Sequence, residues 1–183
     1  MRAFVAIELS KEVKDYLYEL QNKFKKDLKK YNVKISWVAK KNIHLTLKFL
    51  GEINEKKLEE IKERLRKLDF KPFELNIEGI GFFPSEEHLK IIFVSLNPED
   101  KIIKLQREID EELLDISSKD QEFHAHVTLG RIKSVQDREK LKKAVLTDLE
   151  NIKFKVKKFV LMRSQLSKDG PKYFLLETFE GKS

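Results

Sequence analysis

The sequence predicts an α+β fold: two pseudo-symmetric lobes, each a small antiparallel sheet with two helices, with a cleft between the sheets. Three observations predict it. Short β-rich segments alternate with segments whose apolar residues recur every three or four positions. The alternation restarts near residue 86, so the chain reads as a duplicated unit with approximate repeats 1–85 and 86–183. No Gly/Ser-rich stretch separates the halves, so all 183 residues read as a single bilobal domain.

Residues 2–9 (RAFVAIEL) are short and apolar and read as a buried strand. Ser10 is placed to cap the next segment. There Val13, Tyr16, Leu17, Leu20, Phe24 and Leu28 form one face of a helix over about 11–30. An extended piece around Trp37 follows, then a β-rich strand over 43–50 (IHLTLKFL) that ends at Gly51. Asn54 caps a second helix with Leu58, Ile61, Leu65 and Leu68 on its stripe. Residues 73–80 (FELNIEGI) alternate strictly as a strand, and Phe82, Phe83 and Pro84 read as a loop. In the second half, 89–96 (LKIIFVSL) repeats the opening strand. Asn97-Pro98 opens a helix over about 99–115. Residues 123–132 (FHAHVTLGRI) read as a strand, about 136–148 as a helix, and 154–162 and 173–179 as closing strands around a turn at 167–171.

Composition narrows the function. Lys and Arg total 38 against 31 Asp and Glu, a net charge of +7, which favours polyanionic partners. The same Lys/Glu bias also suits solvated helix faces. The absence of cysteine excludes a thiolate metal site and a cysteine nucleophile. No run approaches the ~20 apolar residues of a membrane span, and the apolar start is too short for a signal peptide. The expectation is a cytoplasmic monomer with no membrane association.

The chemistry lies in one repeated triplet. His44-Leu45-Thr46-Leu47 and His126-Val127-Thr128-Leu129 stand 82 residues apart, at the same point of each repeat. In a strand, residues i and i+2 share a face, so each strand presents an imidazole beside a hydroxyl and buries its aliphatic residues. Pseudo-twofold packing brings the two pairs together. Two imidazoles facing each other suit phosphodiester chemistry. A neutral one takes a proton from the attacking oxygen, and a protonated one supplies the leaving oxygen. Thr46 and Thr128 are placed to hold the non-bridging oxygens as charge develops. The scheme calls for no metal and no cofactor. The glycines form no phosphate-binding fingerprint, which disfavours nucleotide-dependent ligation.

RAFVAIEL, WVAKKNIHLTLKFLGE, FHAHVTLGRIK and SQLSKDGPKYFLL together resemble the two-histidine phosphoesterases, and most closely the RNA 2′,3′-cyclic phosphodiesterases, also called 2′-5′ RNA ligases. The resemblance covers nearly the whole chain in order. It implies hydrolysis of an RNA-terminal 2′,3′-cyclic phosphate to a 2′-phosphate, and an ATP-independent 2′-5′ ligation. It implies RNA as partner, with tRNA fragments among the substrates. By motif, His44 is the proton donor and His126 the proton acceptor, an assignment that symmetry leaves open. The resemblance also puts Arg131 on the phosphate and Phe49 against a base. Strand parity sets both on the buried side, although Gly130 permits a bulge that returns Arg131 to the site. Lys48 shares parity with the motif residues and is expected either to help neutralise substrate or to be solvated.

The family usually has proline before the second motif histidine, where this chain has Ala125. His124 and His126 thus form an H-x-H pair, and with His44 opposite they define a zinc alternative. Two functional alternatives remain: a non-catalytic RNA-end binding module, and a phosphodiesterase acting on small cyclic nucleotides or an ADP-ribose cyclic phosphate.

Overall fold

The computed structural model describes residues 1–118 and 122–183. Strand β1 (Arg2–Glu8) leads to helix α1 (Lys11–Leu28), whose first turn is capped by Ser10 Oγ accepting from the Val13 N–H at 3.3 Å. Strand β2 (Val33–Trp37), a 3-10 turn over residues 40–42 and strand β3 (His44–Glu52) follow. Helix α2 (Glu55–Leu65) is capped by Asn54, and strands β4 (Phe73–Pro84) and β5 (Leu89–Asn97) form a hairpin. Helix α3 (Glu99–Glu112) starts after Pro98 with Glu99 and Asp100 in its first turn, where acids complement the helix dipole. Strand β6 (His126–Val135), helix α4 (Arg138–Val145) capped by Asp137, and strands β7 (Lys153–Val156), β8 (Lys158–Ser167) and β9 (Gly170–Glu180) complete the chain.

Two antiparallel sheets result, a four-stranded one in the order β3-β1-β8-β9 and a five-stranded one in the order β2-β6-β5-β4-β7. The α+β class and the paired sheets agree with expectation. The strands, however, are not shared out half to half. β2 and β4, from the first half, lie in the five-stranded sheet, and β8 and β9, from the end of the chain, complete the four-stranded one. The helices are exchanged similarly: α1 packs on α4, α2 packs on α3, and α3 lies against β3. One contiguous apolar cluster therefore joins all four helices to both sheets.

Two local expectations are corrected. Phe82, Phe83 and Pro84 are not a loop but the end of β4, paired with Ile92, Ile91 and Leu89. The strand expected at 154–162 is two strands in different sheets, β7 beside β4 and β8 beside β1. Consecutive exposed lysines, Lys157 and Lys158, interrupt the alternation of buried Phe154, Val156 and Phe159, and the chain changes sheet there. Among the described residues no helix is long and apolar enough to cross a membrane.

Candidate active site

β3 is the edge of the four-stranded sheet, and it meets β6 of the other sheet at the seam. Both strands open on a motif histidine, each preceded by a carbonyl that orients it. His44 Nδ1 lies 2.6 Å from the carbonyl oxygen of Asn42, and His126 Nδ1 lies 2.7 Å from that of His124. A carbonyl only accepts, so each Nδ1 carries the hydrogen. In the neutral ring the lone pair then sits on Nε2, the nitrogen left for chemistry. His44 Nε2 is 2.8 Å from Thr46 Oγ1, so in the neutral ring the hydroxyl donates to it. The Asn42 side chain is tied to the Pro171 carbonyl at 2.8 Å, which links the turn before His44 to the β8–β9 hairpin.

Both imidazoles are less basic than usual. Burial is the main cause for His44. The Asn42 carbonyl opposes it, and the positive charges of Lys14 and His126 add to it. Burial also leads for His126, opposed by the His124 carbonyl. A proton on His126 thus weakens proton binding at His44, as two rings converging on one site require.

Each strand carries a bulge immediately after its threonine. In β3, Glu8, Ala6 and Phe4 pair with His44, Thr46 and Phe49, so two steps along β1 match three along β3 between Thr46 and Phe49. In β6, Phe93 and Ile91 pair with Thr128 and Arg131, again two steps against three. An extra residue reverses parity beyond it. Phe49 therefore shares a face with His44 and Thr46, and Arg131 with His126 and Thr128. Expectation set both on the buried side; the bulges correct this, and the exposures agree. Phe49 is 68% exposed beside Phe4, 6.3 Å between ring centres, and Arg131 is exposed. Arg131 also acts on Tyr173 of β9: burial raises the Tyr173 hydroxyl pKa and the positive Arg131 opposes that rise.

The same bulge removes Lys48. Expected on the site face, it points into the core, where its side chain is fully buried in an ion pair with Asp110 of α3 and donates to the Ser118 carbonyl at 2.9 Å. It occupies the place of Gly130 in the other motif, opposite buried Val5 as Gly130 is opposite buried Ile92. Lys48 is thus a buried cation of the core and not an exposed group on the face of the motif side chains.

Aromatic rings complete the walls. Tyr173 meets His44 edge-on at 5.3 Å and Phe4 lies 5.1 Å from it; Phe83 and Phe93 meet His126 at 4.9 and 5.5 Å. Sequence reasoning did not place these in the site. The alternation Phe4-x-Ala6-x-Glu8 held that signal, because its even positions pair with the motif residues. Gly81 is required by this packing, since a Cβ there would lie 2.5 Å from the Phe93 ring. Among the described residues no three His, Cys, Asp or Glu side chains gather as metal ligands, so the H-x-H pair and His44 do not form the zinc set considered above.

Comparison with known proteins agrees with this architecture. A relative from Thermotoga maritima named RNA 2′,3′-cyclic phosphodiesterase is 35% identical, over 99% of this chain and 97% of its own. One of the same name from Methanocaldococcus jannaschii is 31% identical, over 97% and 99%. The crystal structure of TT0787 from Thermus thermophilus superposes with a TM-score of 0.84 at 29% identity, covering both chains completely. Escherichia coli LigT, solved with 3′-AMP, shares the fold with a TM-score of 0.78 at 21% identity, over 100% of this chain and 98% of its own. The model of the LigT-like phosphoesterase family matches twice, over residues 7–93 and 94–173, and the chain belongs to that family.

Proposed function

We propose that this protein is an RNA 2′,3′-cyclic phosphodiesterase that works by paired-histidine acid–base catalysis without a metal. One observation carries the reading. Two His/Thr pairs with matching ring-to-carbonyl bonds lie on bulged strands that meet at one seam. The names of the relatives above support the substrate.

In the proposed reaction a water oxygen attacks the cyclic phosphorus in line with the 3′ oxygen. His126 Nε2 takes the water proton, the bond from phosphorus to the 3′ oxygen breaks, and His44 Nε2 protonates that oxygen. The products are a 2′-phosphate and a 3′-hydroxyl. Thr46, Thr128 and Arg131 hold the non-bridging oxygens as negative charge builds on them. Phe49 offers its exposed ring to the terminal base. An RNA 5′-hydroxyl entering in place of water gives a 2′-5′ linkage with the same proton transfers and no nucleotide cofactor. The substrate class includes tRNA fragments, and the protein acts as a cytoplasmic monomer.

The test is incubation with an oligoribonucleotide ending in a 2′,3′-cyclic phosphate, with and without chelator, followed by mapping of the product phosphate. The expected product is the 2′-phosphate in both samples. His44→Ala and His126→Ala should each lose ~10²–10⁴-fold in rate. Salt-sensitive binding without turnover would make the protein an RNA-end binder instead. Activity lost to chelator and restored by zinc would overturn the metal-free scheme.

A further inference from the structure

The β6 bulge has a dedicated anchor that comes from the other half of the fold. Gln21 of α1 is fully buried, and its side-chain amide donates to the carbonyls of Val38 at 2.9 Å and Leu129 at 2.8 Å. Leu129 is the residue that the pairing with β5 skips between Thr128 and Gly130, the extra residue of the bulge. The Val38 N–H donates to the same carbonyl at 2.9 Å. Both acceptors are carbonyls, which fixes the amide orientation. Gln21 Oε1 is buried without a partner among the described residues. A buried acceptor left unpaired is unfavourable, so the side chain serves at this position through its donors.

The duplication places a counterpart behind the other motif. Gln106 of α3 follows Gln21 by 85 residues. It sits in the same buried stripe, Ile102, Leu105, Ile109 and Leu113 matching Leu17, Leu20, Phe24 and Leu28. Gln106 Nε2 donates to Asp110 Oδ2 at 2.8 Å, and Asp110 holds Lys48, which follows the extra residue of the β3 bulge. Each bulge is thus tied from behind by a polar group on a helix, and each such helix belongs to the opposite sequence repeat.

We propose that Gln21 is a positioning residue for the phosphate-binding group Arg131. By holding the Leu129 carbonyl it keeps the bulge that turns Arg131 onto the face of His126 and Thr128. The proposal rests on the reading above for what Arg131 binds. Without the clamp, the drive to restore a regular ladder favours the register in which Arg131 leaves the cleft. Small displacements of such groups cost up to ~100-fold in rate.

A double-mutant cycle on kcat/KM with a cyclic-phosphate oligoribonucleotide tests it. Gln21→Met keeps length and removes both donors. Gln21→Met and Arg131→Ala are each expected to lower kcat/KM, by ~10–100-fold. The double variant should lose no more than Arg131→Ala alone, because Gln21 acts through Arg131. Losses that multiply, or full activity in Gln21→Met, overturn the proposal. If Gln21→Met does not fold, Gln21→Asn, whose shorter neutral amide cannot reach both carbonyls, takes its place in the cycle, with the same non-additivity required. A crystal structure of the folded variant tests the clamp independently of turnover. Arg131 displaced from the cleft face supports the clamp, and an unchanged bulge refutes it. Failure of the wild-type protein to hydrolyse the RNA would instead refute the proposed function, and the crystal structure of the variant would still decide whether Gln21 holds the bulge.

Discussion

At the scale of residues, the two histidines are tuned by the same means and in the same direction. Each is held by a carbonyl two residues back, and burial makes each ring harder to protonate than a free imidazole. The proposed mechanism needs one ring neutral and the other charged. In the free enzyme both titrate below the ordinary value of ~6.5, so the bell-shaped profile of kcat/KM should peak on the acid side of that value. In the proposed complex a phosphate anion between the rings favours their charged forms. The kcat profile is therefore expected at higher pH than that of kcat/KM. A kcat/KM optimum above pH ~6.5 would contradict the burial argument. This prediction does not depend on which ring is the acid. The motif residues themselves were legible in the sequence because the i, i+2 rule needs no tertiary information. The orienting carbonyls were not, because their approach depends on the backbone bend before each strand.

At the scale of elements, the bulges decide which side chains reach the seam. Period-two reasoning is sound for a regular ladder and fails one residue past an irregularity, which is how Phe49, Arg131 and Lys48 all changed sides. Gly130 was the visible signal in β6, since glycine inside a strand marks a bulge or a close approach. A Cβ there would lie 2.7 Å from Ile35, so the site admits nothing larger without movement. In β3 the matching position holds Lys48, and only the buried Asp110 on a distant helix explains why lysine is tolerated. Sequence alone does not pair residues 62 positions apart. Lys48→Met leaves Asp110 with its charge buried and one partner fewer. The variant should lose ~3–5 kcal/mol of stability. Urea titration reads that loss. The salt dependence of RNA binding separates the two roles of Lys48. A slope unchanged from wild type agrees with a core cation, and a slope reduced by about one unit would put Lys48 back on the substrate.

At the scale of the whole molecule, the duplication was readable as a repeat of motifs but not as an exchange of strands and helices between halves. Apolar periodicity shows which face of an element is buried, and is silent about which sheet covers it. The exchange has an energetic consequence, because the half-buried histidines sit where the two sheets meet rather than inside either one. Their protonation therefore bears on the joint that holds the fold together. Both have native pKa values below the unfolded value of ~6.5. Well above that pH neither state binds protons at these rings and the full stability is present. As pH falls below ~6.5 the unfolded chain takes up protons that the native protein does not, and stability declines until the native rings titrate too. Most carboxylates stay ionised between about pH 7 and pH 5, so in that window the histidines dominate the slope. Urea unfolding across it should show the wild-type protein losing stability on acidification. The double variant His44→Gln/His126→Gln should show a flatter dependence. Equal slopes in the two proteins would mean that the rings are not held neutral by the fold, and would also undercut the acid-side optimum expected for kcat/KM.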